Sequence, residues 1–176
     1  MFSQRKPKKA IFLDRDGVIN VDKRFVFSKE DFEWVDGVKE ALKKLQESGY
    51  ELIIVTNQSG IGLMYYSVKD FMELTRWMLD ELEKEGVEIL DVYYCPHAPD
   101  ANCDCRKPAP GMILDAAETH TIDLKRSWMI GDKTTDILAG KLAGIPAKQC
   151  IKVSPKKTLA NVVDKIVEQK EIDIVG

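Results

Sequence analysis

Short, uninterrupted apolar runs alternate along this chain with longer amphipathic stretches. We interpret five of these runs as strands, at residues 10–13, 52–55, 89–94, 128–130 and 149–153. A strand that is apolar at every position, rather than at every second one, is typical of a parallel sheet that is covered on both faces. The alternation of such strands with helices therefore predicts an α/β fold, with a doubly wound, Rossmann-like and mostly parallel sheet and helices on both faces.

The stretches between the strands carry apolar residues at helical spacing. The first helix is expected to begin near Val38 and to end before Gly49. Ser67 and Asp70 have the spacing of a capping box, so a long helix is expected to begin there and to close at Gly86. Further helices are predicted over residues 112–120, 134–143 and 159–166.

The chain has 176 residues and shows no repeat, low-complexity tract or linker, which predicts a single domain over residues 1–176. Hydrophobic residues make up 44% and charged residues 31%, the balance of a folded chain rather than a disordered one. No inserted segment is long enough to form a large cap domain, so we expect an open site.

Charge and hydropathy limit the classes of partner. The 26 Lys and Arg residues are outnumbered by 29 Asp and Glu residues, whereas a nucleic-acid-binding domain usually has a basic surplus. No apolar run exceeds four residues, and a membrane-spanning helix needs about twenty. The basic stretch at residues 1–9 is not followed by the apolar segment of a signal peptide, so we expect a cytoplasmic protein with no membrane or nucleic-acid partner, and a monomer by default.

Acidic and polar residues follow the predicted strands at the positions where those strands end. Asp14 and Asp16 follow the first strand, residues 56–60 end the second, and Asp132 follows the fourth, with Asp136 one helical turn later. Each feature taken singly is more often a turn or a helix cap. In such sheets, ligands bind at the carboxyl ends of the strands. The occurrence of all these polar features at strand ends therefore predicts one shared site.

A cation is expected at this site because carboxylates that lie close together repel one another. Hard oxygen ligands of this kind suit Mg²⁺, which would also neutralise a bound phosphate. Lys107 could supply a second positive charge.

The cysteines predict a second metal site. Cys95 with His97 and Cys103 with Cys105 form two pairs of residues, each pair two positions apart, whereas Cys150 stands alone. In a reducing compartment clustered cysteines more often bind metal than form disulfides. A Cys₃His set suits tetrahedral, structural Zn²⁺; free thiols in a proline-rich turn, or a disulfide of Cys95, are the alternatives.

Four segments resemble, in order, the motifs of the haloacid-dehalogenase-like phosphohydrolases. They are Asp14-x-Asp16-Gly17-Val18, the strand end at Thr56, Lys107, and Gly131-Asp132-x-x-x-Asp136. The resemblance covers residues 10–151, nearly the whole chain. Within that superfamily, residues 12–17, 55–61, 95–97 and 103–108 are similar to the branch of histidinol phosphatases and heptose bisphosphate phosphatases.

This resemblance implies roles for the residues at the strand ends. Asp14 would be the nucleophile that forms an aspartyl-phosphate, and its carboxylate would also bind Mg²⁺. Asp16 would protonate the leaving oxygen and then activate water, with its backbone carbonyl as a second Mg²⁺ ligand. Asp132 would complete the metal site, and Thr56 and Lys107 would hold the phosphoryl oxygens.

The remaining site residues are expected to contact the rest of the substrate. The predicted substrate-binding residues are Asp22, Arg24, Asn57, Gln58, Ser59, Arg106 and Lys133. Asp136 is expected to reach the metal indirectly, through water or another ligand. Arg15 is expected to point away from both Asp14 and Asp16, without a catalytic role.

The resemblance predicts a phosphatase that removes the 7-phosphate of D-glycero-D-manno-heptose 1,7-bisphosphate on the route to nucleotide-activated heptose, as in the lipopolysaccharide core or a related glycan. Residues 19–22 and 59–61 follow the heptose enzymes. The five-residue gap between the zinc-ligand pairs is closer to the histidinol phosphatases, and Leu63-Met64 stands where heptose phosphatases commonly carry an arginine. A histidinol-phosphate phosphatase is therefore the enzyme alternative, and a non-catalytic, zinc-stabilised binding module is the third.

Overall fold

A computed structural model describes residues 5–175 of the chain, with side chains described as far as residue 169. The strands are β1 (Ala10–Leu13), β2 (Glu51–Asn57), β3 (Asp91–Cys95), β4 (Trp128–Gly131) and β5 (Cys150–Lys152). The helices are α1 (Val38–Glu47), α2 (Ser59–Gly62), α3 (Val68–Lys84), α4 (Gly111–His120), α5 (Thr134–Ala143) and α6 (Leu159–Val175). The predictions for residues 1–4 and 176, at the two ends of the expected domain and in the basic stretch, lie outside the described residues.

The five strands form one parallel sheet in the order β3-β2-β1-β4-β5. The chain adds β2 and β3 on one side of β1 and then crosses to add β4 and β5 on the other side. This reversal puts a topological switch point beside the carboxyl ends of β1 and β4, where open α/β sheets bind their ligands. The predicted doubly wound fold is confirmed.

The sheet is buried on both faces, as the continuous apolar runs predicted. Ile11 and Leu13 of β1 pack into one hydrophobic cluster, together with residues of α1, α3 and α6. Ala10 and Phe12 pack into a second cluster, with residues of α4 and α5, on the opposite face. All four residues of β1 are fully buried, so this strand is the centre of the core.

The strand boundaries differ from the sequence-based prediction at two places that matter for the site. β2 continues through Thr56 and Asn57, because their backbones pair with Tyr94 and Cys95 of β3. Pairing of this kind uses backbone groups, so polar side chains do not end it. β5 begins one residue late because Gln149 lies in a short 3₁₀ turn and donates from its amide to the carbonyls of Lys125 and Ser127.

The capping box at the start of α3 is confirmed. Ser67 Oγ accepts from the Asp70 backbone N–H at 3.0 Å, and Asp70 Oδ2 accepts from the Ser67 N–H at 2.9 Å. α2 was not predicted; it is a single turn between β2 and α3. Within residues 5–175 only loops and this turn are inserted near the carboxyl ends of the strands, so no large cap domain covers them. No helix in the described part of the chain is long and apolar enough to cross a bilayer.

Candidate active site

The buried side chain of Lys107 lies at the centre of the site, reaching it from the loop between β3 and α4. Its Nζ lies 3.1 Å from Asp14 Oδ1 and 2.6 Å from Asp136 Oδ1, and it donates to the Val55 carbonyl at 2.7 Å. Burial disfavours the charge of this ammonium, but the carboxylates of Asp14 and Asp136 outweigh burial and raise the pKa of Lys107. The structure therefore brings the predicted positive charge into contact with the carboxylates.

Asp14 is 5% exposed directly after β1, and its Oδ1 also accepts from the Arg15 backbone N–H at 2.9 Å. Burial raises the pKa of Asp14 to about 7; Lys107 opposes the rise, and the nearby carboxylates of Asp136, Asp16 and Asp132 add to it. One buried lysine is therefore too little positive charge to keep this carboxylate fully ionised at neutral pH. A cation bound next to Asp14 would correct the deficit.

Three carboxylates form a group that can hold such a cation. Oxygens of Asp14, Asp132 and Asp136 all lie within 4.8 Å of one another. Asp132 Oδ1 is buried and has no hydrogen-bond partner among the described residues, whereas Asp136 Oδ1 contacts Lys107 and its Oδ2 accepts from the Lys133 N–H. The donor set is all oxygen and fits Mg²⁺, with Asp14 and Asp132 offering the free lone pairs.

Gly17 makes the close approach of Asp132 to the β1 turn possible. A Cβ on Gly17 would lie 2.2 Å from Asp132 Oδ2, and the residue has a φ of +89°. Both constraints are met without strain only by glycine. The Gly17 of the Asp-x-Asp-Gly motif is thus explained by packing against the Asp132 carboxylate.

The expectation that Arg15 points away from both aspartates was wrong. Arg15 is 2% exposed, and its Nη2 donates to Asp16 Oδ1 at 2.9 Å and to the Val26 carbonyl at 2.7 Å. The expectation assumed extended backbone, in which neighbouring side chains alternate. The strand ends at Leu13, and the backbone N–H groups of residues 18–20 then fold back onto the Arg15 carbonyl in a tight turn.

A cavity of about 470 Å³ opens over these residues. All seven predicted substrate-binding residues line it, namely Asp22, Arg24, Asn57, Gln58, Ser59, Arg106 and Lys133. Three further lining residues lie outside the predicted substrate-binding set: Phe25, Tyr66 and Thr135. The only sequence signal for these three was their place in or next to loops that follow strand ends.

The cations at the mouth of the cavity suit an anionic ligand. Arg106 Nη1 is buried without a hydrogen-bond partner in the part of the chain that the structure describes. Lys133 Nζ lies 3.4 Å from Asp22 Oδ2 and 3.9 Å from Asp132 Oδ1. Phosphate oxygens offer the acceptors that an unpaired guanidinium nitrogen lacks.

Two amide side chains at the end of β2 bind other protein groups. Asn57 Nδ2 donates to the Lys107 carbonyl at 3.2 Å, and its Oδ1 accepts from the Lys107 N–H at 3.0 Å. Gln58 Nε2 donates to Thr56 Oγ1 at 2.9 Å and to Asp16 Oδ2 at 3.1 Å. Asn57 therefore fixes the backbone of Lys107, and the direct substrate contacts of Asn57, Gln58 and the fully buried Thr56 stay predictions.

The predicted zinc ligands lie together in the cysteine loop, which we define as residues 95–105. The ligand atoms of Cys95, His97, Cys103 and Cys105 all lie within 4.8 Å of one another. Cys95 Sγ is 3.3 Å from His97 Nδ1 and 3.6 Å from Cys103 Sγ, close to the separation of roughly 3.5–3.8 Å that tetrahedral zinc bond lengths produce. Cys105 Sγ lies closer, 2.9 Å from Cys95 Sγ. The four donors fit a closed, structural Zn²⁺ site.

The cysteine loop is followed directly by two residues that line the cavity. Arg106 and Lys107 come directly after the last ligand, Cys105. Burial raises the pKa of Cys95 to about 12 without metal, and the hydrogen bond between Cys95 and Cys105 adds to the rise, so metal binding there must displace protons. Cys150 lies apart, in β5, and its Sγ is not part of the group.

Comparisons with known proteins agree with this geometry. The model of the polynucleotide kinase 3 phosphatase family matches residues 9–168. The D-glycero-beta-D-manno-heptose-1,7-bisphosphate 7-phosphatase of Helicobacter pylori strain J99 is 50% identical over 151 residues, which cover 85% of this chain and 87% of that protein. The D-glycero-alpha-D-manno-heptose-1,7-bisphosphate 7-phosphatase of Photorhabdus laumondii is 47% identical over 150 residues, which cover 81% and 82%.

A solved structure gives the same result. The D,D-heptose 1,7-bisphosphate phosphatase of B. bronchiseptica, complexed with magnesium and phosphate, matches with a TM-score of 0.83 and 29% identity over 92% of this chain and 99% of that chain. The resemblance drawn from the sequence motifs is thereby confirmed, and the chain belongs to the polynucleotide kinase 3 phosphatase family of haloacid-dehalogenase-like phosphatases.

Proposed function

We propose that this protein is a magnesium-dependent phosphatase that removes the 7-phosphate of D-glycero-D-manno-heptose 1,7-bisphosphate, on the route to nucleotide-activated heptose. The observation that best supports this substrate assignment is the 50% identity to the Helicobacter pylori heptose bisphosphate 7-phosphatase, which extends over most of both chains. The carboxylates, Lys107 and the cationic mouth of the cavity support a phosphate monoester as substrate.

The partner is a small phosphorylated sugar, and the enzyme acts as a cytoplasmic monomer. The formal charge of −3 favours neither nucleic acid nor an anionic membrane surface as a partner. Histidinol phosphate is the less favoured substrate, since the relatives described above are named for heptose bisphosphate. A non-catalytic role is also less favoured, because Asp14, Asp16 and Lys107 are all present at the cavity.

Asp14 and Asp16 carry the chemistry. An Asp14 oxygen bonds to phosphorus while the bond from phosphorus to the sugar oxygen breaks, and Asp16 gives its proton to that oxygen. Asp16 then takes a proton from a water whose oxygen attacks the aspartyl-phosphate, which releases inorganic phosphate and restores the Asp14 carboxylate. Lys107 and Thr56 hold the phosphoryl oxygens.

Two metals complete the proposal. Asp14, Asp132 and the backbone carbonyl of Asp16 would hold Mg²⁺, and the unpartnered Asp132 Oδ1 supports this assignment. When bound, Mg²⁺ supplies positive charge that keeps Asp14 ionised and offsets the charge of the phosphate. The cysteine loop would hold structural Zn²⁺, which fixes the position of the adjoining Lys107.

The substrate is tested by phosphate release from heptose bisphosphate and from histidinol phosphate. We expect a higher kcat/KM for the heptose, with heptose 1-phosphate as the product identified by NMR. A preference for histidinol phosphate of about tenfold or more would contradict the substrate assignment while leaving the mechanism intact.

Replacement of the nucleophile should abolish turnover. Asp14→Asn keeps the shape of the side chain but removes the attacking oxygen, so kcat should fall by about a thousandfold or more. Asp80→Asn, at an exposed position of α3, is the matched control and should behave as the wild type. Wild-type turnover by a folded, homogeneous Asp14→Asn preparation would remove Asp14 from its role.

The stabilisation by Mg²⁺ should depend on pH. The pKa of Asp14 is raised to about 7 by burial, so between its ordinary value and about 7 the metal-free folded state binds a proton that the unfolded chain lacks, and stability falls as pH rises through this range. Because Mg²⁺ competes with that proton, the increase in Tm on adding MgCl₂ should grow from about pH 5 to about pH 8. Asp14→Asn should abolish the increase, and an increase independent of pH would contradict the assignment of Asp14 as the ligand.

The cysteine loop should hold about one zinc per chain, measured by elemental analysis of protein purified without chelator. Cys103→Ser should lower zinc content, Tm and turnover together, since zinc binding contributes folding free energy and positions Lys107. Cys150→Ser is the control and should retain its zinc. Metal-free wild-type protein with unchanged Tm would show that the site is not structural.

A further inference from the structure

The carboxylate of Asp16 is held by hydrogen bonds from three side chains, two in its own turn and one at the end of β2. Its Oδ1 accepts from Arg15 Nη2 at 2.9 Å and from Asn20 Nδ2 at 3.0 Å. Among the residues that the structure describes, only Gln58 Nε2 donates to its Oδ2, at 3.1 Å. The two oxygens therefore differ: Oδ1 is engaged by two donors, and Oδ2 keeps an acceptor site for one further proton.

Gln58 can hold Asp16 only if its amide has one orientation. Its Nε2 donates to both Asp16 Oδ2 and Thr56 Oγ1, and its Oε1 accepts from Tyr66 Oη at 2.5 Å. The reversed amide would place Oε1 against the Asp16 carboxylate, where two acceptors repel one another. At 2% exposure the residue has little contact with water that could compensate.

Tyr66 determines that orientation because its hydroxyl stays protonated. Burial raises the pKa of this phenol to about 12; Arg15 opposes the rise and Asp16 adds to it. The ring is fixed by its stacking on Phe27, with centroids 5.1 Å apart, and by Gly60, where a Cβ would lie 2.1 Å from a Tyr66 ring carbon. The Tyr66 hydroxyl therefore donates to Gln58 Oε1 from a position that these two contacts fix.

We propose that Gln58 and Tyr66 are positioning residues of the phosphatase, which hold Asp16 so that its Oδ2 carries the transferred proton. The inference rests on the proposed function, in which Asp16 is the acid and base. Neither residue bonds to phosphorus or exchanges a proton: Gln58 contacts Asp16 Oδ2 and acts through it, and Tyr66 acts through Gln58.

Asp16 Oδ2 takes part in two proton transfers in each turnover. As the bond from phosphorus to the sugar oxygen breaks and the Asp14 bond forms, the proton passes from Asp16 Oδ2 to the sugar oxygen. As water attacks the aspartyl-phosphate, one water proton returns to Asp16 Oδ2 and the Asp14–phosphorus bond breaks. Gln58 donates to Asp16 throughout and never gives up its own proton.

The test compares two leaving groups, because only one of them needs protonation. The sugar alkoxide of heptose bisphosphate is a poor leaving group, whereas p-nitrophenolate leaves without a proton. Gln58→Met keeps the length of the side chain and removes its donor, so kcat for the sugar should fall about 50-fold with KM changed less than about twofold. Tyr66→Phe should lower the same kcat about fivefold.

With p-nitrophenyl phosphate, the same variants should release the first equivalent of p-nitrophenol at close to the wild-type rate. A slower second phase should follow, because hydrolysis of the aspartyl-phosphate still requires Asp16 as base. A purely structural defect would slow the first phase as well and raise KM. That outcome would overturn the positioning role.

A double variant shows whether Tyr66 acts through Gln58. Tyr66→Phe should cause no further loss in the Gln58→Met background, whereas additive losses would contradict the inferred chain of contacts. Tyr65→Phe is the matched control, since this tyrosine is 59% exposed and no hydrogen bond of its hydroxyl is seen within the described residues. If Gln58→Met does not fold, Tyr66→Phe, which removes a single oxygen, still decides the question.

Asp16→Asn separates this inference from the proposed function. If Asp16→Asn retains wild-type turnover of the sugar, the proposed mechanism fails and the inference fails with it. If Asp16→Asn is inactive while Gln58→Met and Tyr66→Phe match the wild type on both substrates, only the positioning role is overturned.

Discussion

The site is organised around the buried ammonium of Lys107, which contacts Asp14 and Asp136 and donates to the carbonyl of Val55. Taking a lysine out of water is costly, and two carboxylates close to it are what make its burial tolerable. The same contacts hold Asp14 at the end of β1 and Asp136 at the start of α5. The ammonium of Lys107 therefore links strands β1 and β2 and helix α5 to the cysteine loop.

The cysteine loop and the carboxyl ends of the strands form one functional unit. Asn57, the last residue of β2, makes two hydrogen bonds to the backbone of Lys107, and the predicted zinc ligand Cys105 lies two residues before Lys107. Gly17 lets Asp132 approach the turn after β1, on the other side of the same cluster. We propose that zinc held by the cysteine loop acts on catalysis by fixing where Lys107 lies.

The sequence was sufficient for the architecture and for the meeting of Asp14 and Asp132 at one edge of the sheet, because both depend on backbone periodicity and on where parallel strands end. The sequence was insufficient to predict which side chains contact one another. Arg15 turns toward Asp16 because the chain leaves the extended conformation at Leu13, which no apolar pattern indicates. Gln58 and Tyr66 are brought together by the single turn of α2, and a turn of four residues is too short for periodicity to reveal.

The protonation of Lys107 is the most direct test of this account. Its ammonium can be followed by NMR in protein containing ¹⁵N-labelled lysine, and its signal can be identified by its loss in Lys107→Arg. Because the carboxylates of Asp14 and Asp136 outweigh burial, the pKa of Lys107 is raised, and the signal should persist above the ordinary lysine value of about 10.5. Loss of the proton below that value would show that burial outweighs the carboxylates, and would contradict a site built on this charge.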